Sequence, residues 1–247
     1  MLLCAALFLA GAGRASAEEF DSDGVKIHYI VQGGGEPVIL VHGLYSSALV
    51  NWELPGTAKE LSRHFQVIMF DNRGHGQSGK PKEEDQYGVK MVDDVVNLMD
   101  HLHIAKARVV GYSLGGMMVM KLLALHPDRV QSAVLGGMGW LKEGSPLQRF
   151  WNLAANGRRA GMVPPACLRG VARLAVTREE VQNVRVPVTI IVGDHDPCRS
   201  LYVDPLRAIR PDWPVRIIPD AGHLNCIVKP EFKAELLSAL QSNITNH

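Results

Sequence analysis

Gly111-Tyr112-Ser113-Leu114-Gly115 closes an apolar run and opens a helical stretch. A serine between two glycines at a strand-to-helix junction is pushed clear of the backbone, because glycine leaves room where a neighbouring chain would otherwise clash. The helix that follows brings a positive dipole end and free N–H groups beside the hydroxyl. Ser113 is therefore the candidate nucleophile. A hydroxyl is a weak nucleophile at neutral pH and needs a base.

The chain has ten histidines from which to choose that base. His223, in Asp220-Ala221-Gly222-His223, stands just past the last strand-like run, at the sheet edge where Ser113 emerges. His28 lies in a strand and His75 in a turn, while His64, His101, His103 and His126 fall in or at the ends of helices. The imidazole needs a carboxylate to fix its tautomer and stabilise its charged form. Asp196, in Gly193-Asp194-His195-Asp196-Pro197, follows another apolar strand and precedes His223 by one crossover. Asp194 is the competing carboxylate, but directly after the strand's glycine such a group more often closes the turn by accepting backbone N–H bonds. Acyl transfer also needs two N–H donors aimed at the developing oxyanion. Leu114, the residue after the nucleophile, supplies one, and Leu44 in His42-Gly43-Leu44 is the expected source of the other. His42 itself is read as structural.

These residues need a scaffold that delivers them to one edge. Strand-like runs fall over 25–31, 37–41, 66–70, 108–112, 130–135, 188–192 and 215–218, and several are continuously apolar, as strands buried on both faces of a parallel sheet must be. Helical patterns lie over 57–64, 89–102, 114–125, 178–183, 201–209 and 231–242. This alternation predicts a three-layer α/β/α sandwich. About fifty residues separate the strand near Leu135 from the one near Pro187, far more than the dozen or so a crossover needs. The surplus, within about 139–184, reads as a short inserted lid, with a long kinked crossover as the alternative.

His42-Gly43, Asp71-Asn72-Arg73-Gly74-His75-Gly76-Gln77-Ser78, Gly111–Gly115, Gly193–Asp196 and Gly222-His223 come in the order and with spacing similar to those of the α/β-hydrolase fold family, which the chain resembles from about Asp21 to Ser242. The resemblance implies an eight-stranded, mostly parallel sheet with a lid after the sixth strand, here a short one. It implies a serine hydrolase cleaving carboxylic esters or related acyl bonds of a small-molecule substrate through an acyl-enzyme. A non-catalytic ligand-binding protein on the same fold, a cofactor-free perhydrolase and a C–C hydrolase are the alternatives. Relatives that carry Asp or Cys at the nucleophile position are set aside by Ser113. No metal and no organic cofactor is implied.

Composition sets bounds on the remainder. The 247 residues are 47% hydrophobic and 21% charged, with 26 basic against 25 acidic side chains, so neither a disordered chain nor a nucleic-acid partner is indicated. Residues 1–17 differ: an apolar run from Leu2 to Ala10 ends at Ala15-Ser16-Ala17, a pattern that reads as a secretory signal peptide cleaved after Ala17. The expectation is a secreted or periplasmic domain over 18–247 with no membrane insertion after cleavage. Of the four cysteines, Cys198 and Cys226 follow the candidate acid and base closely, so their loops run side by side. A disulfide between them and a pair of reduced, buried thiols are both open.

Overall fold

The computed structural model describes residues 16–153 and 163–242. Its centre is one eight-stranded sheet in the order β1-β2-β4-β3-β5-β6-β7-β8. The strands are β1 (Ser16–Ser22), β2 (Val25–Gly33), β3 (Pro37–Val41), β4 (Gln66–Phe70), β5 (Ala107–Tyr112), β6 (Val130–Gly136), β7 (Val188–Gly193) and β8 (Val215–Ile218). β1 pairs antiparallel with β2, and β2 antiparallel with β4, while every pairing from β4 to β8 is parallel. The helices are α1 (Thr57–Leu61), α2 (Val89–His101), α3 (Leu114–Leu125), α4 (Pro146–Leu153), α5 (Pro165–Val171), α6 (Arg178–Asn183), α7 (Asp204–Arg207) and α8 (Pro230–Ser242).

The continuously apolar strands divide their side chains between two cores, as a period of two requires. Ile39, Val41, Ile68, Phe70, Leu135, Ile190 and Val192 face one layer, where α2 and α3 pack. Val38, Leu40, Val67, Met69, Val134 and Ile191 face the other, against α1 and α8. The three-layer sandwich expected from the alternation is thus present, and strands 37–41 and 66–70 run as the sequence indicates.

β1 is the strand that hydrophobic patterning does not reveal. Of Ser16–Ser22 only Phe20 is a large apolar residue; it is buried and stacks on His101 of α2 at 5.1 Å. β1 straddles the Ala17–Glu18 bond at which the sequence predicts signal cleavage, and residues 1–15 of the predicted signal peptide lie outside the described residues.

Between β6 and β7 the chain forms α4, α5 and α6 instead of one crossover helix. The segment is tied down at its roots: Lys142 bridges Val176, and the indole of Trp140 donates to the Val176 carbonyl at 2.8 Å. α6 opens with a capping box in which Thr177 and Glu180 each accept the other's backbone N–H. Further out, Val163 and Leu168 pack against Leu44 and Tyr45. Among the described residues no helix is long and apolar enough to cross a membrane.

Candidate active site

The turn from β5 into α3 places Ser113 at φ 55°, ψ −115°. A non-glycine residue in that region is strained by about 1–3 kcal/mol and stays there only if its surroundings hold it. They do. The Ser113 N–H donates to the Gly136 carbonyl at 2.9 Å. A Cβ on Gly111 would lie 2.2 Å from the Gly115 carbonyl oxygen, and one on Gly115 would lie 2.1 Å from that of Val41. Both glycines are therefore dictated by backbone contact, and the close packing of α3 onto β5 and β3 is what pushes the hydroxyl outward.

His223 Nε2 lies 2.8 Å from Ser113 Oγ, and His223 Nδ1 lies 2.9 Å from Asp196 Oδ2. A carboxylate only accepts, so Nδ1 carries the proton and Nε2 presents its lone pair to the serine hydroxyl. Asp196 is buried, and its other oxygen accepts the Cys198 N–H at 2.8 Å. The His223 side chain keeps 27% of its surface exposed, so the nucleophile–base pair can be reached from outside. The structure brings Ser113, His223 and Asp196 into one hydrogen-bonded line.

Asp194 has a different position. Its carboxylate accepts the N–H groups of Asp220 at 3.0 Å and Ala221 at 2.9 Å, joining the loop after β7 to the loop after β8. Those bonds, the one from Ala221 foremost, hold its carboxyl below the usual carboxylate range. Asp194 thus accepts backbone N–H groups as expected, but those of the loop after β8 instead of its own turn.

The loop after β3 is oriented by bonds that only the fold supplies. The Asn72 N–H donates to His42 Nε2 at 2.9 Å, which leaves Nδ1 as the protonated nitrogen, and Nδ1 donates to the Gly43 carbonyl at 2.7 Å. Burial pushes His42 down to about 4, so this neutral tautomer persists in ordinary buffers. The Gly43 N–H is held in turn by Asn51 Oδ1 at 2.7 Å, and the Ala48 N–H by Asp71 Oδ1 at 2.8 Å. In a trans peptide the N–H points opposite to the carbonyl. Fixing the Gly43 carbonyl toward His42 therefore turns the Leu44 N–H the other way. Gly43 sits on the serine itself, since a Cβ there would be 3.2 Å from Ser113 Cβ. Leu114, the first residue of α3, has no intrahelical acceptor for its N–H.

Two supporting residues escaped sequence reasoning. Tyr112 turns into the α8 core, edge-on to Phe232, and its hydroxyl donates to the His223 carbonyl at 2.5 Å. Burial raises its phenol far above the ordinary value, so it remains a neutral donor. Asn51 is the other; an amide eight residues past Gly43 carries no signal of its own. The cysteines resolve to the reduced alternative: Cys198 and Cys226 are free thiols, each pushed up to about 12, mainly by burial.

The family model described as the alpha/beta hydrolase fold matches residues 36–166, from β3 through the elbow into α5. The chain belongs to that family. It is 38% identical over 130 residues to the dihydrolipoyllysine-residue acetyltransferase component of the acetoin cleaving system of Pseudomonas putida, a match covering 51% of this chain and 34% of that protein. It is 33% identical over 121 residues to the 2-hydroxymuconate semialdehyde hydrolase of a Pseudomonas species, covering 48% of this chain and 42% of the relative. These matches thus span less than half the length of either curated relative. Among solved structures, epoxide hydrolase A from Mycobacterium thermoresistibile superposes with a TM-score of 0.76 over 92% of this chain and 98% of that one, at 17% identity. At that identity the likeness speaks for the α/β-hydrolase fold alone.

Proposed function

We propose that this α/β-hydrolase chain is a serine hydrolase acting on carboxylic esters of small molecules. The observation that carries the reading is the line Ser113–His223–Asp196, with bonds of 2.8 and 2.9 Å, at a strained strand-to-helix turn. Ser113 Oγ attacks the acyl carbon while His223 Nε2 takes its proton. Asp196 holds Nδ1–H and stabilises the imidazolium that results. The N–H groups of Leu44 and Leu114 receive the negative charge of the tetrahedral oxygen. His223 then delivers its proton to the departing alcohol, and water repeats the cycle on the acyl-enzyme. Val163 and Leu168 pack on Leu44 and Tyr45, so the loop that carries the Leu44 N–H has apolar neighbours suited to an uncharged acyl group.

A fluorophosphonate probe tests the nucleophile. Covalent labelling that maps to Ser113, together with turnover of p-nitrophenyl esters of graded chain length, is the expected result. A folded protein that neither labels nor turns over any ester would refute the reading and favour a binding role on the same fold.

A further inference from the structure

The thiol of Cys198 stands beside the acid and the base, and the mechanism has no use for it. Its sulfur, a carboxylate oxygen of Asp196 and a ring nitrogen of His223 all lie within 4.8 Å of one another. From this juxtaposition we infer that the acid–base pair doubles as a binding site for a thiophilic divalent cation such as Zn²⁺, and that metal binding there switches the enzyme off.

The donor set selects the class of ion. One thiolate, one imidazole and one carboxylate form a mixed S/N/O set that suits zinc and its neighbours, whereas magnesium and calcium require more oxygen ligands than are offered. Zinc at its usual bond lengths holds tetrahedral ligand atoms about 3.3–3.5 Å apart. Reaching that arrangement needs the Asp196–His223 pair, now 2.9 Å apart, to open by about half an ångström and the sulfur to close by no more than about 1.5 Å. The frame around the site is already braced. Asp194 ties the two loops together, Tyr112 holds the His223 carbonyl, and Asn225 Oδ1 accepts the Gly222 N–H at 2.7 Å. Asp196 is buried, while Cys198 and His223 are partly open, so the ion has a way in from the substrate side.

Coordination releases one proton, from Cys198 Sγ, to water, and the Nδ1 proton of His223 moves to Nε2, so that the ring binds as neutral imidazole through Nδ1. Asp196 becomes a ligand instead of the orienting partner of His223. Nε2 then carries the ring's hydrogen and has no lone pair to offer, so Ser113 loses its proton acceptor. The inhibition rests on the acyl-transfer reading above; the binding does not.

The two halves can therefore be tested apart. Binding is read by titrating the full-length protein with Co²⁺ and following the thiolate-to-cobalt charge-transfer band in the near ultraviolet. The band is expected in the wild type, in Ser113→Ala and in Cys226→Ser, and is expected to vanish in Cys198→Ser. Should Cys198→Ser not fold, His223→Ala serves instead, with cobalt affinity lowered at least about tenfold by loss of a ligand. Inhibition is read as ester turnover with added ZnCl₂. Activity should fall, return on adding EDTA, and become at least about tenfold less zinc-sensitive in Cys198→Ser relative to that variant's own turnover. A wild type without the band, or a Cys198→Ser protein that binds and is inhibited like the wild type, overturns the proposal. Binding abolished by His195→Ala but kept in Cys198→Ser overturns it too, because it puts the metal at the exposed Asp194–His195–Asp220 group. Cobalt binding in a chain that cleaves no ester would leave the site standing and remove only the hydrolase reading.

Discussion

The hydroxyl of Tyr112 reaches 2.5 Å to the carbonyl of His223, so the residue next to the candidate nucleophile holds the backbone of the candidate base. The distance between Ser113 Oγ and His223 Nε2 is thereby set from both ends of a single side chain. Tyr112→Phe keeps the ring against Phe232 and removes only this bond. It should cost about 1 kcal/mol of stability and lower kcat with little change in KM, since positioning and not substrate contact is lost. Urea unfolding and steady-state kinetics check both parts; unchanged kcat would show that the loop is held by other contacts.

Ser113→Ala and Ser113→Gly separate chemistry from strain. Both should lose turnover on the order of 10⁶-fold. Glycine accepts φ 55°, ψ −115° without penalty whereas alanine does not, so Ser113→Gly should be more stable than Ser113→Ala by about 1 kcal/mol. Equal stabilities, measured by chemical denaturation, would mean that the turn relaxes.

The two carboxylates after β7 should respond in opposite ways. Asp196→Asn should reduce kcat by about 10⁴, because the amide favours the wrong tautomer of His223. Asp194→Asn should mainly lower stability, because it weakens the bonds from Ala221 and Asp220. The folded-state carboxyl of Asp194 lies below its unfolded value, so its contribution is present above that unfolded value of about 4 and is lost as pH falls further. The stability gap between wild type and Asp194→Asn should accordingly narrow in acid. A larger kcat loss for Asp194→Asn than for Asp196→Asn would exchange their roles.

His42 gives the fold a pH dependence of its own. Burial lowers it to about 4 and its neighbour His75 to about 3, so both are neutral in the folded state while the unfolded chain takes up protons near 6.5. With more protons bound to the unfolded state, stability falls as pH drops from about 6.5 and levels off only once the folded-state values are passed. The slope contributed is at most about 1.4 kcal/mol per pH unit for each histidine. His42→Gln should flatten the stability profile between pH 6.5 and 4. It should also lower kcat by up to about 10²–10³ as the Gly43–Leu44 peptide loses its fixed orientation. A variant with the wild-type pH profile would show that His42 does not titrate with unfolding.

Local sequence carries much of this protein openly. Strands such as Val38–Val41 are apolar at every position, and Val188–Val192 at every position but Thr189, so they have no exposed polar face and must lie inside a covered parallel sheet wherever they are placed. Gly111 and Gly115 announce the elbow because no side chain fits where backbone crosses backbone. Ser113, Asp196 and His223 each follow a strand on the same sheet edge, so chain order alone puts them within reach of one another. Other features have no local signature. β1 carries little apolar patterning because an edge strand buries one face against α2, and the stretch holding α4 and α5 divides its apolar residues, Val163 and Leu168 packing on Leu44 and Tyr45 while Leu147, Trp151, Ala166, Cys167 and Val171 join the main core. The direction of the Leu44 N–H depends on His42, Asn72 and Asn51. The hold on His223 depends on Tyr112, and the closeness of the Cys198 sulfur to the acid–base pair depends on how two loops 27 residues apart are stitched by Asp194. Periodicity and glycine placement record what a residue needs from its immediate neighbours, and so they mark the inner strands of the sheet and the candidate reactive groups. A hydrogen bond between residues distant in the chain is decided only when the strands pair and the helices pack, because its energy depends on ångström-scale separations that no spacing along the sequence encodes.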